Sequence, residues 1–181
     1  MATDYFEITL ILDKKQASAE NAYEKLLSIL EMVKTDNEYD PEYECEKRNF
    51  VEHKYNFFRN QEVIADRFDY DDVDFSELRI SFTGIDVKKE NLEETIKYIS
   101  PLISDCFKSI DSICFIIGMY EGAYHYFQNL KNLSEFDNKL LSKFPLLFFR
   151  KENRSFKTFM RFGNFICVYN DYNTQDIFII E

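Results

Sequence analysis

Tryptophan is absent from this 181-residue chain, and glycine and proline are nearly so, at four and three residues. Glycine this scarce leaves no loop to cradle a phosphate. The closest pair, Gly118 and Gly122, is followed by no lysine, so neither a P-loop nor a dinucleotide fingerprint is present. No GxSxG nucleophile elbow occurs. The longest apolar run, Ile113 to Tyr120, is far shorter than the roughly twenty residues of a spanning helix. Met1 to Glu7 has neither the basic nor the long apolar region of a secretory leader, so the expected location is cytoplasmic. Cys45, Cys106, Cys114 and Cys167 stand singly with no CxxC, which reads as four buried thiols in a reducing compartment.

Positive charge is also short. Lys and Arg number 22 against 33 Asp and Glu, a net charge of -11. Direct binding to a nucleic acid backbone, which needs clustered cations, is disfavoured. What is plentiful is aromatic: 19 Phe and 12 Tyr in a chain that is 45% hydrophobic, enough for one well-filled core.

Alternation predicts a strand over Tyr5 to Leu12, with Phe6, Ile8, Leu10 and Leu12 on one face. Ser18 then offers a cap to a helix carrying Ala22, Tyr23, Leu26, Leu30 and Val33 at helical spacing. Val51 to Phe57 and Val63 to Phe68 read as a hairpin, and Leu78 to Thr83 as the next strand. A second helix, opened near Asp86, carries Leu92, Ile96, Ile99, Ile103, Cys106 and Ile110, with Pro101 expected to kink or split it. Ile113 to Met119 reads as a buried strand. This order predicts an α+β fold: a ferredoxin-like βαββαβ core over residues 1–120, an antiparallel sheet with two helices on one face. Residues 121–181 extend it with a helix and a C-terminal antiparallel β-meander, all within a single domain, 1–181. Ser134 is the expected cap of a helix stopped by Pro145, strands follow at Leu146–Phe149, Phe156–Phe162, Phe165–Tyr169 and Ile177–Ile180, and Gly163-Asn164 marks a tight hairpin. Tyr120 to Leu133 fits strand or helix equally.

The strongest asymmetry is electrostatic. Fourteen acidic and five basic residues lie between Asp36 and Glu77. Glu38, Asp40, Glu42, Glu44 and Glu46 occupy alternate positions around Tyr39 and Tyr43, which in an extended chain places five carboxylates on one face. A second knot, Asp66, Asp69, Asp71, Asp72 and Asp74, is interleaved with Phe68, Tyr70 and Phe75. Like charges this dense repel one another, so a compensating use is expected. The plain reading is a solvated face that keeps a Phe-rich protein soluble. The sharper one is a surface for a basic protein, with Tyr supplying the anchors. A basic stretch from Lys139 to Arg161 holds seven cations and one acid, and is expected to neutralise the acidic half within the monomer or across a homodimer.

Metal and catalytic signatures fail one by one. His53 and His125 lie far apart and pair with no metal-ligand spacing. A calcium loop from Asp69 would put Val73, Asp74 and Ile80 where an oxygen ligand, Gly and Glu are needed, and one from Asp36 would need Pro41 to be glycine. The lead expectation is therefore a non-enzymatic acidic inhibitor with no cofactor and no membrane or nucleic acid contact. It would act as an immunity protein against a basic nuclease-type toxin, or as an antagonist of a nucleic-acid-binding defence complex. The alternatives are a small metal-dependent enzyme acting on a nucleotide or phosphoester, using the Asp69 to Asp74 knot, and a structural or oligomerisation domain.

Overall fold

The computed structural model describes residues 5–31, 45–49, 62–83, 92–120, 122–151, 155–156, 159–169 and 179–180. Strand β1 (Tyr5–Asp13) is the keystone of an eight-stranded sheet in the order β2-β3-β4-β1-β5-β6-β9-β8, with every neighbouring pair antiparallel. The other strands are β2 (Cys45–Asn49), β3 (Glu62–Phe68), β4 (Phe75–Thr83), β5 (Ile113–Tyr120), β6 (Leu146–Arg150), β8 (Phe159–Arg161) and β9 (Phe165–Tyr169). Two short strands, β7 (Ser155–Phe156) and β10 (Ile179–Ile180), pair separately. Helices α1 (Ala19–Leu30) and α2 (Leu92–Ser109) make the crossovers, so β1-α1-β3-β4-α2-β5 is the expected βαββαβ order and β4 sits between the parallel strands β1 and β3. The additional edge strand β2 makes the ferredoxin likeness approximate. The chain is α+β, and its C-terminal strands extend the antiparallel sheet.

The alternation in β1 works as predicted. Phe6, Ile8 and Leu10 oppose Phe82, Ile80 and Leu78 of β4 and are fully buried. Against them pack Leu26 and Leu30 of α1 and Ile96, Ile99 and Ile103 of α2, each such side chain contributing roughly 1.5–3 kcal/mol by leaving water. Ser18 caps α1 by accepting the Asn21 N–H at 3.2 Å. The Tyr23 hydroxyl donates to the Ala65 carbonyl of β3 at 2.8 Å, tying helix to sheet.

Several expectations change. Helix α2 runs unbroken through Pro101. A proline leaves the carbonyl four residues back without its donor, and that carbonyl belongs to Lys97; the Ser100 hydroxyl donates to it at 2.8 Å. The partner of β3 on its outer side is β2, within 45–49, whereas the expected strand 51–57 and the helix start near 86 lie outside the described residues. Ser134 caps nothing of length: Asn132 heads a single 3-10 turn (Leu133–Glu135) and Asp137 caps a short helix, α4 (Asn138–Leu141). Phe136 interrupts them because its ring is drawn inward. The undecided segment holds helix α3 (Ala123–Phe127). Phe156 to Phe162 is divided between β7 and β8, in different sheets. The Gly163-Asn164 turn closes as expected, with Phe162 N–H donating to Phe165 O at 2.9 Å. Asn164 then bonds Ser104 of α2 through both its amide atoms.

The second face of the sheet is covered too. Residues 123–144 lay Phe127, Phe136, Leu141 and Phe144 over Ile11, Phe75, Phe115, Ile117 and Leu147. Phe136 is the hub, with its ring centroid 5.2 Å from both Phe75 and Phe115 and 5.5 Å from Phe127. This second core is where much of the unusual phenylalanine content goes. Cys106 and Cys167 are buried as expected, whereas Cys114 is half-buried. No helix among the described residues is long and apolar enough to cross a membrane.

Candidate functional site

The turn joining β3 to β4 carries the second acidic knot, and the structure fixes it firmly. Val73 N–H closes the turn onto Tyr70 O at 3.4 Å, and Asp74 N–H donates to Lys131 O at 2.9 Å. Asp74 is turned inward, where its carboxylate accepts the Leu133 N–H at 2.7 Å. Two lysines brace the loop. Lys14, just past β1, meets the Asp69 carboxylate at 2.6 Å and also donates to the Tyr70 carbonyl. Lys131 pairs with Asp72 and holds that carboxyl below its usual range. Asp71 faces outward, and the Tyr70 ring, 41% exposed, has one side in solvent and the other on the cavity described below. The loop's charge is thus partly met by the protein's own cations, and these are not the ones the sequence singles out. Of the basic stretch, Arg150 instead donates to the Phe107 and Ile110 carbonyls at the end of α2, at 2.7 Å for Ile110. Lys143 lies over the Tyr126 ring.

The first acidic run is placed only at its end. Glu46 lies on β2 opposite Ala65, while Glu38, Tyr39, Asp40, Glu42, Tyr43 and Glu44 lie outside the described residues, as does His53. His125 is exposed on α3. Among the described residues, no three His, Cys, Asp or Glu side chains come close enough to share a metal ion.

Beneath the acidic turn is a cavity of about 150 Å³, lined among others by Tyr70, Val73, Phe75, Glu77, Tyr124 and Phe127, with Asp72 and Lys131 also lining it. Glu77 was not expected here. It belongs to the face of β4 that carries Arg79 and Ser81, and the sheet register sets Asp66, Arg79 and Thr9 in one cross-strand row and Phe68, Glu77 and Ile11 in the next. Glu77 is 1% exposed, and neither of its oxygens has a hydrogen-bond partner. Arg79 Nη2 stands 3.6 Å away while Nη1 is 3.9 Å from Glu7, so one guanidinium is shared by two carboxylates. That guanidinium also stacks on Phe68, 4.5 Å from its centroid. Burial pushes the Glu77 carboxyl up to about 7; Arg79 opposes the shift, while Glu7 and Asp66 reinforce it. The Tyr70 phenol is pushed up to about 12 by burial first, then by its hydrogen bond to Tyr124 and the nearby charge of Glu77.

In comparisons with protein-family models, curated proteins and solved structures, nothing matches this chain.

Ile113 to Met119 is apolar at every position but Gly118, the pattern of a strand covered on both faces. That run signals a second covered face of the sheet, but Glu77 lies two strands away on β4 and is not singled out by it.

Proposed function

We propose that the chain is a non-enzymatic binding module for a basic protein, with the β3–β4 turn as part of its docking surface. The biological form of that reading is an acidic inhibitor: an immunity protein that neutralises a nuclease-type toxin, or an antagonist of a nucleic-acid-binding defence complex. The observation that carries it is the concentration of negative charge between Asp36 and Glu77, whose described part projects Asp71 and the Tyr70 ring from a turn braced by Lys14 and Lys131. A pre-braced loop loses little freedom on docking, and an exposed tyrosine beside carboxylates suits a cationic, partly apolar counter-surface. Electrostatic attraction would act mainly on the association rate.

The test begins with capture from the native host and continues with the purified pair. Replacing Glu42, Glu44, Asp71 and Asp72 by their amides should slow association at least severalfold at low salt. An unchanged rate overturns the proposal.

A further inference from the structure

We infer that the cavity beneath the acidic turn receives a single organic cation, a primary ammonium or a guanidinium on a short apolar stem, with Glu77 as its counter-ion. Three observations converge on this. The first is charge. Glu77 on β4 and Glu7 on β1 share one Arg79, Asp66 on β3 stands directly opposite that arginine, and both Glu77 oxygens lack a hydrogen-bond donor. A buried carboxylate left this way either takes up a proton or awaits a cation.

The second is size. A volume of about 150 Å³ matches a cavity that holds benzene, about six heavy atoms. The end of a lysine or arginine side chain, or a small free amine, has that bulk. The third is the lining. Phe75, Phe127 and Val73 suit an aliphatic stem, and the Tyr124 and Phe127 rings suit a cation's charge. An anion would be repelled by the carboxylates, and a neutral apolar guest would leave Glu77 as it is.

The Glu77 oxygens are closed to water, so the cation reaches them with a shift of the side chains that line the cavity. Among those side chains the Tyr70 ring sits on a turn, outside both strands, and is 41% exposed. The Asp72–Lys131 pair also lines the cavity and leaves its net charge there unchanged. This inference shares Tyr70 with the docking surface but is tested separately from it, because it turns on Glu77 and does not need Asp71.

Calorimetric titration of the full chain with n-butylammonium, ethylguanidinium and n-butanol tests it, at pH 8 and pH 6, for the wild type and Glu77→Gln. Both cations should bind and butanol should not. The substitution should weaken the cations at least tenfold, and wild-type affinity should drop about tenfold from pH 8 to pH 6 as Glu77 becomes protonated. Butanol binding as well as the cations overturns the inference, as does indifference to the substitution or no cation binding at about 10 mM. If Glu77→Gln fails to fold, the cation-against-butanol contrast and its pH dependence in the wild type decide the matter. A blocked Gly-Lys-Gly peptide binding tighter than butylammonium identifies a partner's side chain as the source; the reverse identifies a free amine.

Discussion

Glu77 and Arg79 project from the same face of β4 and hold their charges 3.6 Å apart, too far for a hydrogen bond, inside a closed layer of the protein. The pair exists because β4 alternates under a covered sheet face, and it is incomplete because Arg79 is shared with Glu7. Burial that this shared pairing does not offset pushes the Glu77 carboxyl up to about 7.

Stability should therefore fall as pH rises. The folded-state pKa of about 7 lies above the ordinary 4.5, so between those values the folded protein binds more protons than the unfolded chain. Below pH 4.5 this group adds no pH-dependent cost, and above pH 7 its ionisation costs about 3 kcal/mol. Glu77→Gln should remove that slope and be the more stable protein at pH 8. Urea unfolding across pH 5 to 8 checks this, and carboxyl-carbon NMR of Glu77 should show its midpoint near 7; a midpoint near 4.5 would remove the effect.

Arg150 closes the end of α2 by donating to both Phe107 and Ile110 carbonyls. Arg150→Ala should cost about 1–3 kcal/mol, since two carbonyls lose a charged donor near a helix C-terminus. Arg150→Lys should recover only part, because one ammonium does not reproduce the two-pronged contact. Chemical denaturation of the three proteins measures this directly.

Pro101→Ala should stabilise α2 by roughly 1–3 kcal/mol, by giving the Lys97 carbonyl a backbone donor. Ser100→Ala should cost more in the wild type than beside Ala at 101, where the hydroxyl is no longer needed. A double-mutant cycle on melting midpoints reads the coupling.

Gly118 is placed where a Cβ would stand 3.3 Å from both the Leu146 Cβ and the Phe6 ring. Gly118→Val should destabilise by about 1–3 kcal/mol through overpacking between β1 and β6. Thermal melting suffices to test it.

Much of this fold was legible in the residues, for identifiable reasons. Phe6, Ile8, Leu10, Leu78, Ile80 and Phe82 alternate cleanly because one face of β1 and β4 is wholly apolar. Ser18 and Gly163-Asn164 carry local chemistry that needs no tertiary context. Pro101 misled because the repair of its lost hydrogen bond comes from the preceding serine, a detail that propensity does not contain. Phe136 sits between two short turns because it is the hub of a core assembled from distant strands. At the site, Asp69, Asp71, Asp72 and Asp74 were visible as charge, but their bracing by Lys14 and Lys131 was not, since those lysines lie 55 and 59 positions away in the chain. Glu77 was hidden for a related reason: its burial depends on residues 123–144 folding back over the sheet.

The docking proposal is tested most directly by stopped-flow association of the chain with its purified basic partner across salt, for the wild type and the Lys14→Gln/Lys131→Gln double variant. Freed of those lysines, Asp69 and Asp72 present unpaired carboxylates, while the Val73–Tyr70 and Asp74–Lys131 backbone bonds and the Leu133–Asp74 bond still hold the turn. The double variant should associate several times faster than the wild type at about 50 mM salt, and both should slow and converge by about 500 mM as screening takes hold. Rates that are the same for both proteins, and flat across salt, would contradict a surface that works by charge.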